Sequence, residues 1–135
     1  MKRLLFVACL VIIAIGCKKE SQVTTHINNH IANTALFAKW ELRRTSGGMQ
    51  PSVYYAPGNG DMVQFNADST YSFYIGGTIS KQGTFHIAQQ SYPSGKFDFI
   101  YYDQSAFGDI LTLKSDSLNI GTSAADGLES LYIRK

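Results

Sequence analysis

Cysteine is nearly absent from this chain of 135 residues, which contains only Cys9 and Cys17. Residues 18–135 have no thiol, so an internal disulfide, a cysteine metal site and a cysteine nucleophile are excluded from them. Proline is also scarce, with three residues against twelve glycines, whereas Tyr and Phe number eight each. This composition predicts a fold stabilised by core burial, with many strands joined by tight turns.

An excess of charge of either sign is also lacking. Lys and Arg number 12 and Asp and Glu number 10, and without Lys2 and Arg3 the two sets are equal. A basic nucleic-acid footprint is therefore absent. No Gly-x-Ser-x-Gly elbow, His-Glu-x-x-His helix or phosphate-binding glycine loop occurs, so we expect neither an enzyme nor a cofactor. The aspartates are predicted to fall at strand ends and to bond their own turns; they are Asp61, Asp68, Asp103, Asp109, Asp116 and Asp126.

The first seventeen residues are typical of a bacterial export signal. Lys2 and Arg3 precede an apolar run over 4–15, which is too short to span a bilayer as a permanent helix. The segment Ala14-Ile15-Gly16-Cys17 resembles the lipobox of bacterial lipoproteins. That resemblance implies cleavage of a signal peptide at 1–16 and acylation of Cys17 with palmitate-type chains. The alternative is a plain signal peptide with an incidental cysteine.

Residues 17–34 are predicted to form the lipidated cysteine and a polar tether. Val23, Ile27 and Ile31 recur at four-residue spacing, which favours a short helix in its second half. His26 and His30 would share one face of that helix, but no nearby Cys, Asp or Glu completes a metal site, so none is expected. Lys18 follows the cysteine where inner-membrane lipoproteins have Asp. The resemblance therefore implies the outer membrane, with the periplasmic or surface side left open.

From residue 35 onward the apolar residues alternate with polar ones, as in antiparallel strands. We predict eight or nine strands over 35–135, with the clearest hairpin on either side of 66–69. Short connections favour neighbour-to-neighbour pairing, and closing the sheet removes its exposed edges. The predicted fold is an all-β, antiparallel, up-and-down barrel, with a two-sheet β-sandwich as the alternative.

Three segments of this region resemble the small lipocalin-like, calycin-type domains of bacterial lipoproteins. They are Ala38-Lys39-Trp40 in the first strand, the hairpin from Phe65 to Tyr71, and Tyr132-Ile133-Arg134-Lys135 at the end. The resemblance implies that Trp40 plugs one end of the barrel and that Arg134 packs across it as a latch. A guanidinium over an indole is worth on the order of 0.5 to 2 kcal/mol.

Two functions are compatible with such a barrel. In the first, the mouth opposite Trp40 binds a small apolar or amphipathic molecule. The predicted lining consists of four aromatic residues, Tyr71, Phe73, Phe97 and Phe99. In the second, the barrel is filled by its own side chains and serves as a membrane-anchored interaction or assembly module for an envelope protein. Outward Tyr74 and Tyr102 would contribute to that contact surface, and an accessible cavity would favour the first function.

Overall fold

A computed structural model of the protein describes residues 33–122 and 126–135. The predicted signal peptide, the predicted acylation site Cys17 and the predicted helix of the tether lie outside this part of the chain. Within it, no helix has both the length and the apolar character needed to cross a membrane.

The described chain begins with a 3-10 turn, Asn33–Ala35, and continues as nine strands. The strands are β1 (Lys39–Ser46), β2 (Val53–Tyr54), β3 (Met62–Phe65), β4 (Thr70–Ile75), β5 (Thr78–Tyr92), β6 (Gly95–Tyr102), β7 (Asp109–Lys114), β8 (Ser117–Gly121) and β9 (Glu129–Arg134).

Eight of these strands form a closed antiparallel barrel. From β3 to β9 each strand pairs with its successor, while β1 pairs with β3 on one side and with β9 on the other. The ninth, β2, is an extra two-residue strand that pairs with the end of β1 through Arg44↔Tyr54 and Thr45↔Val53. The predicted all-β, up-and-down barrel is confirmed, and the sandwich alternative is wrong because β1 and β9 close the sheet.

Strand β5 is longer than the sequence pattern predicted. Its first half pairs with β4 and its second half with β6, so the strand spans two neighbours in succession. Gly76 and Gly77 have φ values of 57° and 84°, the conformation of a tight two-residue hairpin turn between Ile75 and Thr78. The glycine pair therefore connects β4 and β5 directly.

The up-and-down order gives the barrel two distinct ends. We call one the closed end: it carries residues 33–38, the short turns at 66–69, 93–94 and 115–116, and Lys135. We call the other the open end: it carries the connections 47–61, 76–77, 103–108 and 122–128. The chain therefore enters the barrel at the closed end.

The closed end is filled by the hydrophobic core. Leu36 and Trp40 are fully buried, and the Trp40 indole Nε1–H donates to the Leu36 carbonyl at 2.8 Å. Phe65 and Phe85 meet edge to face with their centroids 5.0 Å apart. The remaining buried members of this cluster are Val63, Tyr71, Ile100, Leu111, Leu118, Ile120 and Tyr132. Inward positions of every long strand thus meet in one core, as alternation requires.

The long connection 47–61 is held against the outer wall of β1. Glu41, which is 8% exposed, accepts a hydrogen bond from the Gly58 N–H at 2.9 Å. The Asn59 amide donates to the Leu42 carbonyl at 2.8 Å. These bonds explain how a segment with little strand structure keeps a fixed position beside the open end.

Candidate functional site

The open end contains a cavity of about 210 Å³ that reaches into the barrel. Its wall is formed by inward residues of five strands and by Gly121, Thr122 and Leu128 at the rim; the principal lining residues are Phe73, Tyr102, Asp109, Ile120, Ser130 and Tyr132. The space lies opposite the Trp40 end. The barrel is therefore packed at one end and accessible at the other.

A second cavity of about 410 Å³ adjoins the first. It is lined by Leu42, Ile75 and Lys81, together with Phe73 and Tyr132, which also contact the first cavity. Phe73 and Tyr132 consequently stand at the boundary between the two spaces.

Strand alternation explains why these side chains point inward. Ile100 is fully buried in the core, so Tyr102, two residues later on β6, shares its face. Asp109 pairs directly with Ile100, which places its carboxylate on the same inward face of β7. Ser130 is the partner of the inward Ile120. The strand register thus determines that Asp109 and Ser130 face the cavity.

Three aromatic rings form one side of the site. The Tyr71 ring centroid lies 5.4 Å from that of Phe73 and 4.9 Å from that of Tyr102, both edge to face. Phe73 and Tyr102 are 5.5 Å apart. Such contacts stabilise the rings in fixed orientations. The cavity therefore has a preformed aromatic wall.

A polar cluster lies at the rim beside this wall. The Asp103 carboxylate accepts hydrogen bonds from the Thr84 N–H and the Tyr71 hydroxyl, both at 3.0 Å. Lys81 Nζ lies 3.5 Å from Asp103 and 5.6 Å from the Tyr71 ring centroid. The pKa of Asp103 is lowered first by the hydrogen bond from the Thr84 N–H and then by Tyr71 and Lys81. The pKa of Lys81 is raised first by its contact with Tyr71 and then by Asp103. The Lys81 ammonium and the Asp103 carboxylate therefore form an ion pair with each other.

Two other polar residues of the cavity, Tyr102 and Asp109, have no such hydrogen-bond partners in the described chain. The Tyr102 hydroxyl is buried, and no group in the described chain hydrogen-bonds to it. Burial, followed by the nearby Tyr132, Asp109 and Tyr71, raises the pKa of Tyr102 far above its ordinary value. Burial also raises the pKa of Asp109, and burial is the first cause of the raised pKa of Tyr132. The floor of the site is therefore polar but incompletely paired.

The structure divides the four predicted lining residues into two pairs. Tyr71 lies in the core with its ring against Phe73, which lines both cavities. Phe97 and Phe99 occupy the opposite face of β6 from Ile100 and lie near Tyr92, with centroids 5.9 and 6.2 Å from its ring. Neither residue lines the two cavities, but Phe99 is only 4% exposed. Strand β6 thus has buried residues on both faces, and alternation alone does not say which face points into the barrel.

Tyr102 was predicted to face outward and instead faces the cavity. Asp109 was predicted to cap a turn, and Tyr132 entered only as part of a terminal motif. Leu111 is buried, and Asp109 lies two residues before it on β7, so alternation places Asp109 on the same inward face. The sequence pattern therefore contained the information that Asp109 faces inward. For Tyr132, by contrast, the inward position follows from its pairing with Leu118, which only the folded sheet supplies.

At the closed end the structure brings Trp40 and Arg134 together. The Arg134 guanidinium carbon lies 4.6 Å from the Trp40 ring centroid, and the guanidinium also donates to the Ala35 carbonyl. The two residues are cross-strand partners in the β1–β9 pairing. His86 is exposed, and its ring stacks on that of Tyr101 with the centroids 4.8 Å apart.

In the portion of the chain that the structure describes, no group of three or more His, Cys, Asp or Glu side chains could hold a metal ion. A scan against protein-family models matches no family, and comparisons with curated proteins and with solved structures find no match. The closed eight-strand barrel is compatible with a lipocalin-like fold on its architecture alone.

Proposed function

We propose that the protein is a lipid-anchored envelope protein with a lipocalin-like barrel that binds a small apolar or amphipathic molecule at its open end. The observation that carries this proposal is the uneven filling of the barrel. Core side chains occupy the Trp40 end, whereas open space lies between Phe73, Tyr102 and Tyr132. An eight-strand barrel is wide enough to hold one small ligand.

The lining has the chemistry of a small-molecule site. Such sites combine apolar and aromatic walls with a few polar groups that orient the ligand. Here Phe73, Ile120 and the ring of Tyr102 provide apolar surface, while Asp109 and Ser130 provide polar atoms.

The anchor is proposed from the amino-terminal sequence. Acylation of Cys17 with two or more chains would hold the protein at a membrane lastingly, because each buried methylene contributes about 0.8 kcal/mol. The described chain enters the barrel at the closed end. An anchor that precedes this point leaves the open end accessible. Lys18 supports the outer membrane as the location.

Ligand binding is tested by titrating the purified protein with the neutral fluorescent probe N-phenyl-1-naphthylamine. We expect saturable binding to one site. Ser130→Phe fills the cavity and should weaken binding at least about tenfold, the loss expected from removing good apolar contacts. Thr112→Phe adds the same ring on the exposed outer face of β7 and serves as the control. Unsaturable binding, or equal affinity in both variants, would contradict the proposal.

The anchor is tested separately by labelling bacterial cells that express the full chain with an alkyne analogue of palmitate. We expect label on the wild-type protein and on Cys9→Ala, because Cys9 lies within the predicted signal peptide. Cys17→Ala should lose the label and leave the membrane fraction. A labelled Cys17→Ala protein would contradict the proposed site of acylation.

A second candidate function is a protein-interaction module, and one observation favours it. Large apolar side chains are exposed around the open end, with Met49 98%, Tyr54 74%, Ile75 67%, Phe107 89% and Leu128 62% accessible. Contiguous exposed apolar surface commonly marks an interaction site. A photo-crosslinking residue at Phe107 should then capture a discrete envelope protein in cells, whereas one at Lys96 near the closed end should not.

A further inference from the structure

We infer that the open-end cavity selects a ligand whose polar group is a cationic ammonium, held between the Asp109 carboxylate and the Tyr102 hydroxyl. This inference rests on the proposed binding function and specifies the chemical class of the ligand. It follows from groups that the fold buries without partners and from the charge of the surrounding surface.

Asp109 lies in the wall of the open-end cavity. The residue begins β7 opposite Ile100, faces inward, and lines the same cavity as Tyr102, Ser130 and Tyr132. Its carboxylate is therefore part of the wall rather than of a turn. A ligand that enters from the open end meets this group.

Asp109 has no counter-ion in the described structure. No Lys, Arg or His nitrogen of residues 33–122 and 126–135 forms an ion pair with it, and no hydrogen bond to it is present in that part. Ser123, Ala124 and Ala125 complete the nearest connection and are uncharged. Asp109 is half-buried, so its carboxylate is partly removed from water and gains from a cation or donor that enters the cavity.

The Tyr102 hydroxyl oxygen is buried and has no partner in the described residues. An ammonium group has three N–H donors and can serve this oxygen and the Asp109 carboxylate at once. The neutral Tyr102 hydroxyl can also donate to an alcohol or a carboxylate, so the charge of Asp109 carries the discrimination among headgroups.

This aromatic cluster already accommodates an ammonium at its rim. Lys81 Nζ lies 5.6 Å from the Tyr71 ring centroid and 3.5 Å from the Asp103 carboxylate. Tyr102 and Phe73 are the rings that extend the cluster inward toward Asp109. Aromatic faces attract cations through their quadrupole, and the attraction increases when water is removed.

The charge of the open end as a whole also favours a cation. The four connections at this end, 47–61, 76–77, 103–108 and 122–128, contain no Lys or Arg. They contain Asp61, Asp103 and Asp126. Lys81 of β5 stands at the same rim and pairs with Asp103 at 3.5 Å, whereas Asp61 and Asp126 form no ion pair within the described residues. A mouth with this balance raises the local concentration of cations and repels anions.

The test compares three ligands that share one eight-carbon chain: octylammonium, octanol and octanoate. Each displaces N-phenyl-1-naphthylamine from the purified protein at pH 7 and constant ionic strength. We expect octylammonium to bind at least about tenfold more tightly than octanol, since hydrogen bonds to charged groups are worth about that factor, and octanoate to bind most weakly.

Asp109→Asn should abolish the preference for octylammonium over octanol. Asp116→Asn removes the same charge from the β7–β8 turn at the closed end and should keep both the preference and the octanol affinity. Tyr102→Phe removes one acceptor and should reduce the preference for octylammonium over octanol. Octanol binding without a preference for the cation, or a preference that survives Asp109→Asn, would overturn this inference alone. Failure of all three ligands and of the fluorescent probe would overturn the proposed binding function.

Discussion

Gly83 shows how closely one residue can be matched to its surroundings. A Cβ at this position would lie 1.9 Å from Asp103 Oδ1 and 3.1 Å from Tyr71 Cε1. The Asp103 carboxylate lies there because it binds the Thr84 N–H, at the point where β5 changes its partner from β4 to β6. The absence of a side chain at Gly83 therefore permits the polar contact that joins two parts of the wall.

Gly83→Ala is expected to lower the free energy of unfolding by about 1–3 kcal/mol, the usual cost of overpacking. Urea denaturation of the purified protein measures the change. Gln82→Ala, at the exposed neighbouring position, should stay within about 0.5 kcal/mol of the wild type. Equal stabilities of the wild type and Gly83→Ala would show that Asp103 can move away without cost.

The two cavity-side aspartates should respond to pH in opposite directions. The pKa of Asp103 is lowered in the folded protein, so its contribution to stability is present above its unfolded pKa and is lost as pH falls through the folded pKa. Asp103→Asn should therefore reduce the melting temperature at pH 7 and have less effect near pH 2. A thermal-melt series across this range measures it, and an equal reduction at both ends would contradict the assignment.

For Asp109 the sign is reversed. Burial raises the pKa of its carboxyl in the folded state, so folding is favoured while the group is protonated and loses stability as pH rises through the folded pKa. Asp109→Asn should melt at a higher temperature than the wild type at pH 7, with the difference vanishing below about pH 3. A variant that melts lower than the wild type at pH 7 would mean that the carboxylate is satisfied in the ligand-free protein.

At the level of elements, the closure of the barrel depends on the pairing of its first and last strands. β9 pairs with β1 from Trp40↔Arg134 to Ser46↔Glu129, with a register shift between Leu42 and Arg44. The Arg134 guanidinium covers the Trp40 ring and reaches the chain before β1 at Ala35. One side chain thus contacts the last strand, the first strand and the segment that leads into it.

Arg134→Met keeps the length of the side chain and removes its charge and donors. We expect a loss of about 1–2 kcal/mol in the free energy of unfolding, from the cation–π contact and the hydrogen bond together. Lys96→Met, at an exposed position beside the β5–β6 turn, is the control for loss of a positive charge. Equal denaturation midpoints for the two variants would show that the contact does not stabilise closure.

Much of the barrel could be predicted from the sequence, and the site could be predicted less well. Period-two patterns located the strands because one face of each is buried. Residues 78–82 of β5 escaped this signal, since they are exposed and owe their structure to pairing with β4. The period-two pattern also did not show which face of β6 points into the barrel, because Phe97 and Phe99 are as apolar as Ile100 and Tyr102. The register that brings Asp109 opposite Ile100 is a property of the folded sheet.

At the level of the whole molecule, the two ends of the barrel differ in packing. The fully buried side chains Leu36, Trp40, Val63 and Phe65 gather toward the closed end, whereas the open end has long connections and cavities. Local opening costs least where few apolar contacts must be broken. The molecule should therefore loosen from the open end before it unfolds globally.

Amide hydrogen exchange measures this difference. Amides of Trp40, Val63 and Leu118 should exchange only through global unfolding, and those in 104–108 should exchange orders of magnitude faster. Addition of octylammonium should slow exchange near Asp109 and leave that near Trp40 unchanged. Uniform protection along all eight barrel strands and their connections would contradict the proposed asymmetry.

The separation of packing from the cavity has a consequence for how such a protein can change over generations. Substitutions at the open end alter the shape and charge of the mouth with little effect on the core around Trp40, so they are tolerated on grounds of stability. Descendants of one ancestral barrel can therefore diverge in the molecules they accept while retaining the same folded body. The rim and the inward positions nearest to it are the parts on which selection for a new ligand would act.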